Sequence, residues 1–249
     1  MVRTERADGV LHVTLDRPEK RNALRRVDIE AVTRALGADD GLRAVVFRGA
    51  GDRAFSAGVD IGEFLALDGP EAARAFIAAL RDMLAAVRRI PAVTICAIDG
   101  PCLGGAFELA LAADLRVVTT RARFGLPEVR LGIPSVIEAA LLAPFVGLGH
   151  AKEMILTGDV YAADAPQVAA LAGRPVAPED LETAVTDLLG RVGGHTRTVV
   201  AAQKGLFETW QDQPLSAGID ASVDVFAGVF AAEDTRAALA AYRSSLGAG

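Results

Sequence analysis

Seven consecutive residues, Ala92-Val93-Thr94-Ile95-Cys96-Ala97-Ile98, carry no charge and run straight into Asp99-Gly100-Pro101. A short apolar run rich in β-branched residues reads as a strand, and without alternation it reads as a fully buried one. Three more runs behave similarly: Val10 to Leu15, closed by Asp16-Arg17-Pro18; Arg43 to Arg48, closed by Gly49 and Gly51; and Leu115 to Thr119. Between them lie helical spacings, over Ala23 to Leu36 and from about Pro70 to Arg89, where Pro91 ends the pattern. Beyond about residue 134 the strand signals give way to helices over Pro134 to Val146, His150 to Leu156, Ala163 to Leu171, Pro178 to Arg191, Thr196 to Trp210 and Gln213 to Leu246. Strands first and helices last predict an α/β core over residues 1–190 and a helical region over 191–249, acting as one unit.

Composition narrows the function. The chain of 249 residues has 26 basic and 32 acidic side chains, a net charge of −6, and a phosphate backbone repels that field. No nucleic-acid partner is expected. No apolar run reaches the roughly 20 residues that span a bilayer, and no leader pattern opens the chain, so no membrane association is expected and the location reads as cytoplasmic. The two cysteines, Cys96 and Cys102, read as buried small hydrophobes. No cysteine or histidine spacing suits a metal.

Chemistry concentrates at two glycine junctions. In Phe55-Ser56-Ala57-Gly58-Val59-Asp60-Ile61-Gly62-Glu63, Gly58 permits a tight turn, and Asp60 with Glu63 reads as a capping box. In Gly100-Pro101-Cys102-Leu103-Gly104-Gly105-Ala106-Phe107-Glu108-Leu109 a buried strand passes through paired glycines into a helix. Free N–H groups at a helix start point outward, and two such junctions facing each other would make an oxyanion site from main chain alone. Glu108 sits on an otherwise apolar helix, where a carboxyl is costly without a partner or a task. Glu128 follows Phe124-Gly125-Leu126-Pro127, and Glu138 is a third candidate acid, although Ser135-x-x-Glu138 after Pro134 reads as a capping box.

Taken in order, Leu15-Asp16-Arg17-Pro18-Glu19-Lys20-Arg21-Asn22-Ala23-Leu24, Phe55-Ser56-Ala57-Gly58-Val59-Asp60, Gly104-Gly105-Ala106-Phe107-Glu108-Leu109-Ala110, and Phe124-Gly125-Leu126-Pro127-Glu128 with Leu131-Gly132-Ile133-Pro134 resemble the enoyl-CoA hydratase/isomerase (crotonase) family. The resemblance implies a ClpP/crotonase-like fold of repeated ββα units, a helical C-terminal region that forms trimers or hexamers (dimers of trimers), and an acyl-CoA thioester substrate. It places the oxyanion donors at Val59 and Gly105, the two glutamates at Glu108 and Glu128, and coenzyme A along Arg21, Ala23, Ala57, Asp60 and Ile61. No separate cofactor and no metal are implied, coenzyme A being part of the substrate.

The expected reaction is hydration of a 2-enoyl-CoA to a 3-hydroxyacyl-CoA. Double-bond isomerisation or thioester hydrolysis on the same fold, and a non-catalytic CoA-binding scaffold, are the alternatives. The sequence departs from the family at Ala106, where a third glycine is common, and at Ser135-Val136-Ile137-Glu138, where relatives carry paired glycines; this brings Glu138 near a position that holds an additional acid in some of them. With only Lys20, Lys152 and Lys204 among the basic residues being lysine, phosphate binding is expected from arginine, and Arg17, Lys20, Arg21, Arg25 and Arg26 form the candidate cluster at a helix start.

Overall fold

The computed structural model describes residues 1–38 and 41–246; Asp39 and Asp40, and the last three residues of the expected 191–249 region, lie outside the described residues. The chain order begins β1 (Val2–Ala7), β2 (Val10–Leu15), α1 (Arg26–Gly37), β3 (Ala44–Gly49), α2 (Ile61–Leu65), α3 (Gly69–Arg89), β4 (Val93–Ile98), β5 (Pro101–Leu103) and α4 (Gly105–Ala112). It continues with β6 (Leu115–Val118), β7 (Arg123–Gly125), α5 (Leu142–Thr157), β8 (Tyr161–Ala162), α6 (Ala169–Ala172), α7 (Leu181–Val192), α8 (Arg197–Asp212), α9 (Leu215–Val229) and α10 (Glu233–Leu246).

Five strands form the main sheet in the order β1-β2-β3-β4-β6, antiparallel between β1 and β2 and parallel thereafter. The strand that opened the sequence argument is buried on both faces. Its Cys96 and Ile98 join Phe47, Phe76, Leu80, Met83 and Phe107 in the large core beneath α1, α3 and α4. Its Ile95 and Ala97 pack with Val46 and Val117 against Val185 of α7. Half of β1 is charged and five of its six residues are exposed at the sheet's edge, so no apolar run marks it in the sequence. A smaller sheet, β5-β7-β8, stands beside the first.

Three expectations need correction. Helix α1 begins at Arg26, not Ala23; residues before it form a tight turn, with Arg21 and Asn22 both at positive φ. Between Pro134 and Val146 there is no continuous helix: a 3-10 turn, Ile137–Leu141, leads into α5, which breaks at Gly147 (φ 78°, ψ 153°). Of Ala163 to Leu171, the part that is helical lies in α6 alone. Contrary to the hydropathy expectation, the 21 residues Ile137–Thr157 are apolar enough to cross a bilayer by length and composition (mean hydropathy 1.3). The break at Gly147 divides them, and Leu142, Ala151 and Met154 point into the core.

Helix α8 is fastened to the core by Lys204, whose ammonium donates to Val87 O (3.2 Å), Ala92 O (3.1 Å) and Asp114 Oδ2 (2.7 Å). Asp114 Oδ2 also accepts from the Thr94 N–H at 2.7 Å and hydroxyl at 2.8 Å, so one carboxylate joins α8 to the start of β4.

Candidate active site

The two glycine junctions lie against each other. Ser56 N–H donates to Pro101 O (3.0 Å) and Leu103 N–H to Ser56 O (3.1 Å), pairing the first junction with β5. The approach is so close that a Cβ on Gly58, at φ +89°, would stand 2.5 Å from Leu103 O and 3.2 Å from the Gly105 nitrogen. Only glycine fits there. On the far side, Leu24 N–H donates to Gly58 O (2.8 Å) and Asp60 N–H to Leu24 O (2.9 Å). These bonds bracket Val59 and leave its N–H without a partner among the described residues; the same holds for the Gly105 N–H, which opens α4.

Both junctions border a cavity of about 630 Å³. Phe64, Phe76, Ile77 and Leu80 from α2 and α3 form one wall, and Leu131, Ile133 and Val136 another. Ala57, Val59, Gly104 and Gly105 line its floor, and the acids in the lining are Glu108 and Glu128.

Each carboxyl is held by one oxygen. Glu108 Oε1 accepts the Ala139 N–H at 3.1 Å, and Glu128 Oε2 accepts the Ser135 hydroxyl at 2.8 Å. The second oxygens converge on the glycine pair: Glu128 Oε1 lies 2.7 Å from where a Gly104 Cβ would be, and Glu108 Oε2 lies 3.9 Å from the equivalent position on Gly105. Glu108 is 4% exposed. Burial, reinforced by the nearby Glu128 and Glu138 and opposed by the Ala139 N–H, pushes its carboxyl up to about 8. It therefore holds a proton at neutral pH.

Glu138 is elsewhere. The expected Ser135/Glu138 capping box does not form, because Ser135 turns to Glu128 instead. The Glu138 side chain is buried off the cavity, with Oε1 3.3 Å from Arg88 Nη1. Ser135, Ala139 and Arg88 were the contributors missed from sequence. The signal for the first was the departure from paired glycines at 135–138, where a hydroxyl gains reach to Glu128.

Of the expected CoA-facing residues, Ala57 and Ile61 border the cavity, whereas Arg21 and Ala23, on the adjoining turn, and Asp60, at the start of α2, are not in its lining. Ala57 N–H donates to Arg21 O (2.9 Å), which holds the turn against the first junction. Asp60 caps α2 by accepting from Gly62 N–H and also accepts from Arg17 (2.9 Å). Burial works against its charge, but these two donors hold it below the usual carboxylate range. The basic cluster is partly spoken for, since Arg25 pairs with Asp28 and Arg26 with Glu30. Arg21 sits in a left-handed turn rather than in a first helical turn, so the helix dipole says nothing about it.

The family model "Enoyl-CoA hydratase/isomerase" matches residues 5–246. A crotonyl-CoA hydratase of Syntrophomonas wolfei is 29% identical over 96% of this chain and 93% of its own. The crystal structure of an enoyl-CoA hydratase of Mycobacterium smegmatis superposes with a TM-score of 0.91 at 27% identity, covering 98% of this chain and 96% of that one. A Thermobifida fusca relative, solved in complex with CoA, gives a TM-score of 0.82 at 26% identity over 92% of this chain and 93% of its own. With the crotonase fold closed around this glycine-floored cavity and the family model matched almost end to end, the chain belongs to the enoyl-CoA hydratase/isomerase family.

Proposed function

We propose that this enzyme adds water across the double bond of a 2-enoyl-CoA, giving a 3-hydroxyacyl-CoA. The observation that carries the reading is the pair of free carboxyl oxygens, on Glu108 and Glu128, beside two unpartnered N–H groups on one cavity floor. Attack at the β-carbon moves negative charge onto the thioester oxygen. The Val59 and Gly105 N–H groups stabilise that charge, each by roughly 3–4 kcal/mol. A water held between the carboxyls yields a proton to one as its oxygen bonds the β-carbon, while the α-carbon takes a proton from the other. One acid must be protonated and one not, and in the unliganded site burial favours the protonated form of Glu108. The apolar walls take the acyl chain. Coenzyme A follows the turn of Arg21 and Ala23 with Ala57, Asp60 and Ile61; that the ligand is a CoA thioester is supported by the family and by the CoA complex of the Thermobifida fusca relative. The active form is a trimer or a hexamer built through the C-terminal helices.

The test is a panel of 2-enoyl-CoAs followed by loss of the conjugated-thioester absorbance. Glu108→Gln and Glu128→Gln should each lower kcat at least about a hundredfold with little change in CoA affinity. A Glu128→Gln protein that still hydrates but no longer moves a double bond would refute the hydratase reading in favour of isomerisation.

A further inference from the structure

The turn Ile137–Leu141 has two connections that bear on Glu108. Its Ala139 N–H is the donor that fixes Glu108 Oε1, and its Glu138 is bound to Arg88, near the end of α3. The turn is strained, since Ile137, a β-branched residue, stands at φ 45°. Such a conformation persists only where the surroundings over-determine it. Core packing of Ile137, Ala139 and Leu141 supplies part of that constraint, and the Arg88 fork supplies its polar anchor. Its Nη1 holds Glu138 Oε1, while Nε (3.1 Å) and Nη2 hold the Glu208 carboxylate on α8. Glu138 Oε2 is buried without a partner, so Arg88 is the group that makes its burial tolerable.

We infer that Arg88 and Glu138 are positioning residues for Glu108, with Arg88 locking the strained turn that aims the Ala139 N–H and Glu138 tying that turn to the guanidinium. The inference rests on the reading of Glu108 as a catalytic acid. It makes α8 part of the same device, because the guanidinium that steadies the turn is clamped from the C-terminal region. The carboxyls facing Glu108 are Glu128, from the turn Pro127–Leu131, and Glu138; the cations on this side are Arg88 and Arg74 of α3 and Arg130 of the Glu128 turn, the last two in the cavity lining, and β5 brings no charge. Burial pushes the Glu138 carboxyl up while the Arg88 guanidinium opposes this, and in its charged form Glu138 is one of two carboxyls whose repulsion favours the protonated Glu108.

The test is steady-state kinetics across pH on Arg88→Met, Arg88→Lys and Glu138→Gln, beside Glu108→Gln and the parent, with thermal melts of each. Arg88→Met should lower kcat by about 10- to 100-fold, with KM for the thioester nearly unchanged. Arg88→Lys should recover part of the loss, because it keeps a charge opposite Glu138. Glu138→Gln should move the kcat/KM limb near pH 8 to lower pH. If Arg88→Met does not fold, Arg88→Lys and Glu138→Gln decide the matter alone. Variants that melt earlier yet keep the parent's kcat and pH limb would overturn the positioning role. Full turnover in Glu108→Gln would overturn it together with the catalytic reading, whereas loss in Glu108→Gln with normal Arg88 and Glu138 variants would overturn the positioning role only.

Discussion

Glu108 is a buried carboxyl that weakens the fold as pH rises. Its carboxyl titrates at about 8 in the folded protein against an ordinary value of 4.5. Between those values the native state keeps a proton that the unfolded chain gives up, so the group increasingly disfavours folding as pH rises from about 4.5, and the penalty is complete above about 8. Glutamine fills the same space and still offers an oxygen to Ala139 N–H. Glu108→Gln should therefore melt at a higher temperature than the parent at about pH 9 and at nearly the same temperature at about pH 4. Equal melting temperatures at the higher pH would mean that the folded carboxyl is not held protonated. The same residue stands out in the sequence, because a single carboxyl on the apolar helix around Phe107 and Leu109 has few reasons to be there.

Among elements, α8 depends on a buried cation. Lys204 satisfies all three of its protons with protein acceptors, and burial pulls its pKa down, so losing it strands the partly buried Asp114 as well. Lys204→Ala should cost about 3 kcal/mol in denaturant unfolding. A loss below about 1 kcal/mol would mean that α8 docks by apolar contact alone. Elements with a regular apolar pattern were legible: the buried runs β3 and β4 and the amphipathic α3 needed only that pattern and a terminating glycine or proline. Elements set by partners were not. The strands β5, β7 and β8 are two or three residues long and exist because the β5 backbone pairs with β7, and β7 with β8. The 135–141 segment has helix-forming residues and a plausible cap, yet Ser135 and Glu138 are drawn away by Glu128 and Arg88. Arg88 sits in the last turn of α3, where the helix dipole already favours a cation, so nothing in the sequence singles it out.

As a whole molecule, the described chain leaves its C-terminal helices underdressed. Ile219, Val223 and Phe226 of α9 are each more than half exposed, and so are Tyr242 and Leu246 of α10. Apolar faces of this kind are where subunits meet. Light scattering should return about three or six times 25.9 kDa, and a monomer at micromolar concentration would contradict the proposed assembly. The chain's cysteine inventory bears on how it survives its own chemistry. A conjugated thioester is an electrophile toward sulfur as well as toward water, and Cys102 lies two residues before the glycine pair on the cavity floor. Both Cys96 and Cys102 are buried, and desolvation raises the first to about 12 and the second well above its ordinary value. With thiolate scarce and out of reach, neither sulfur competes for the β-carbon. The proposed substrate can then dwell in the site without alkylating the protein that holds it.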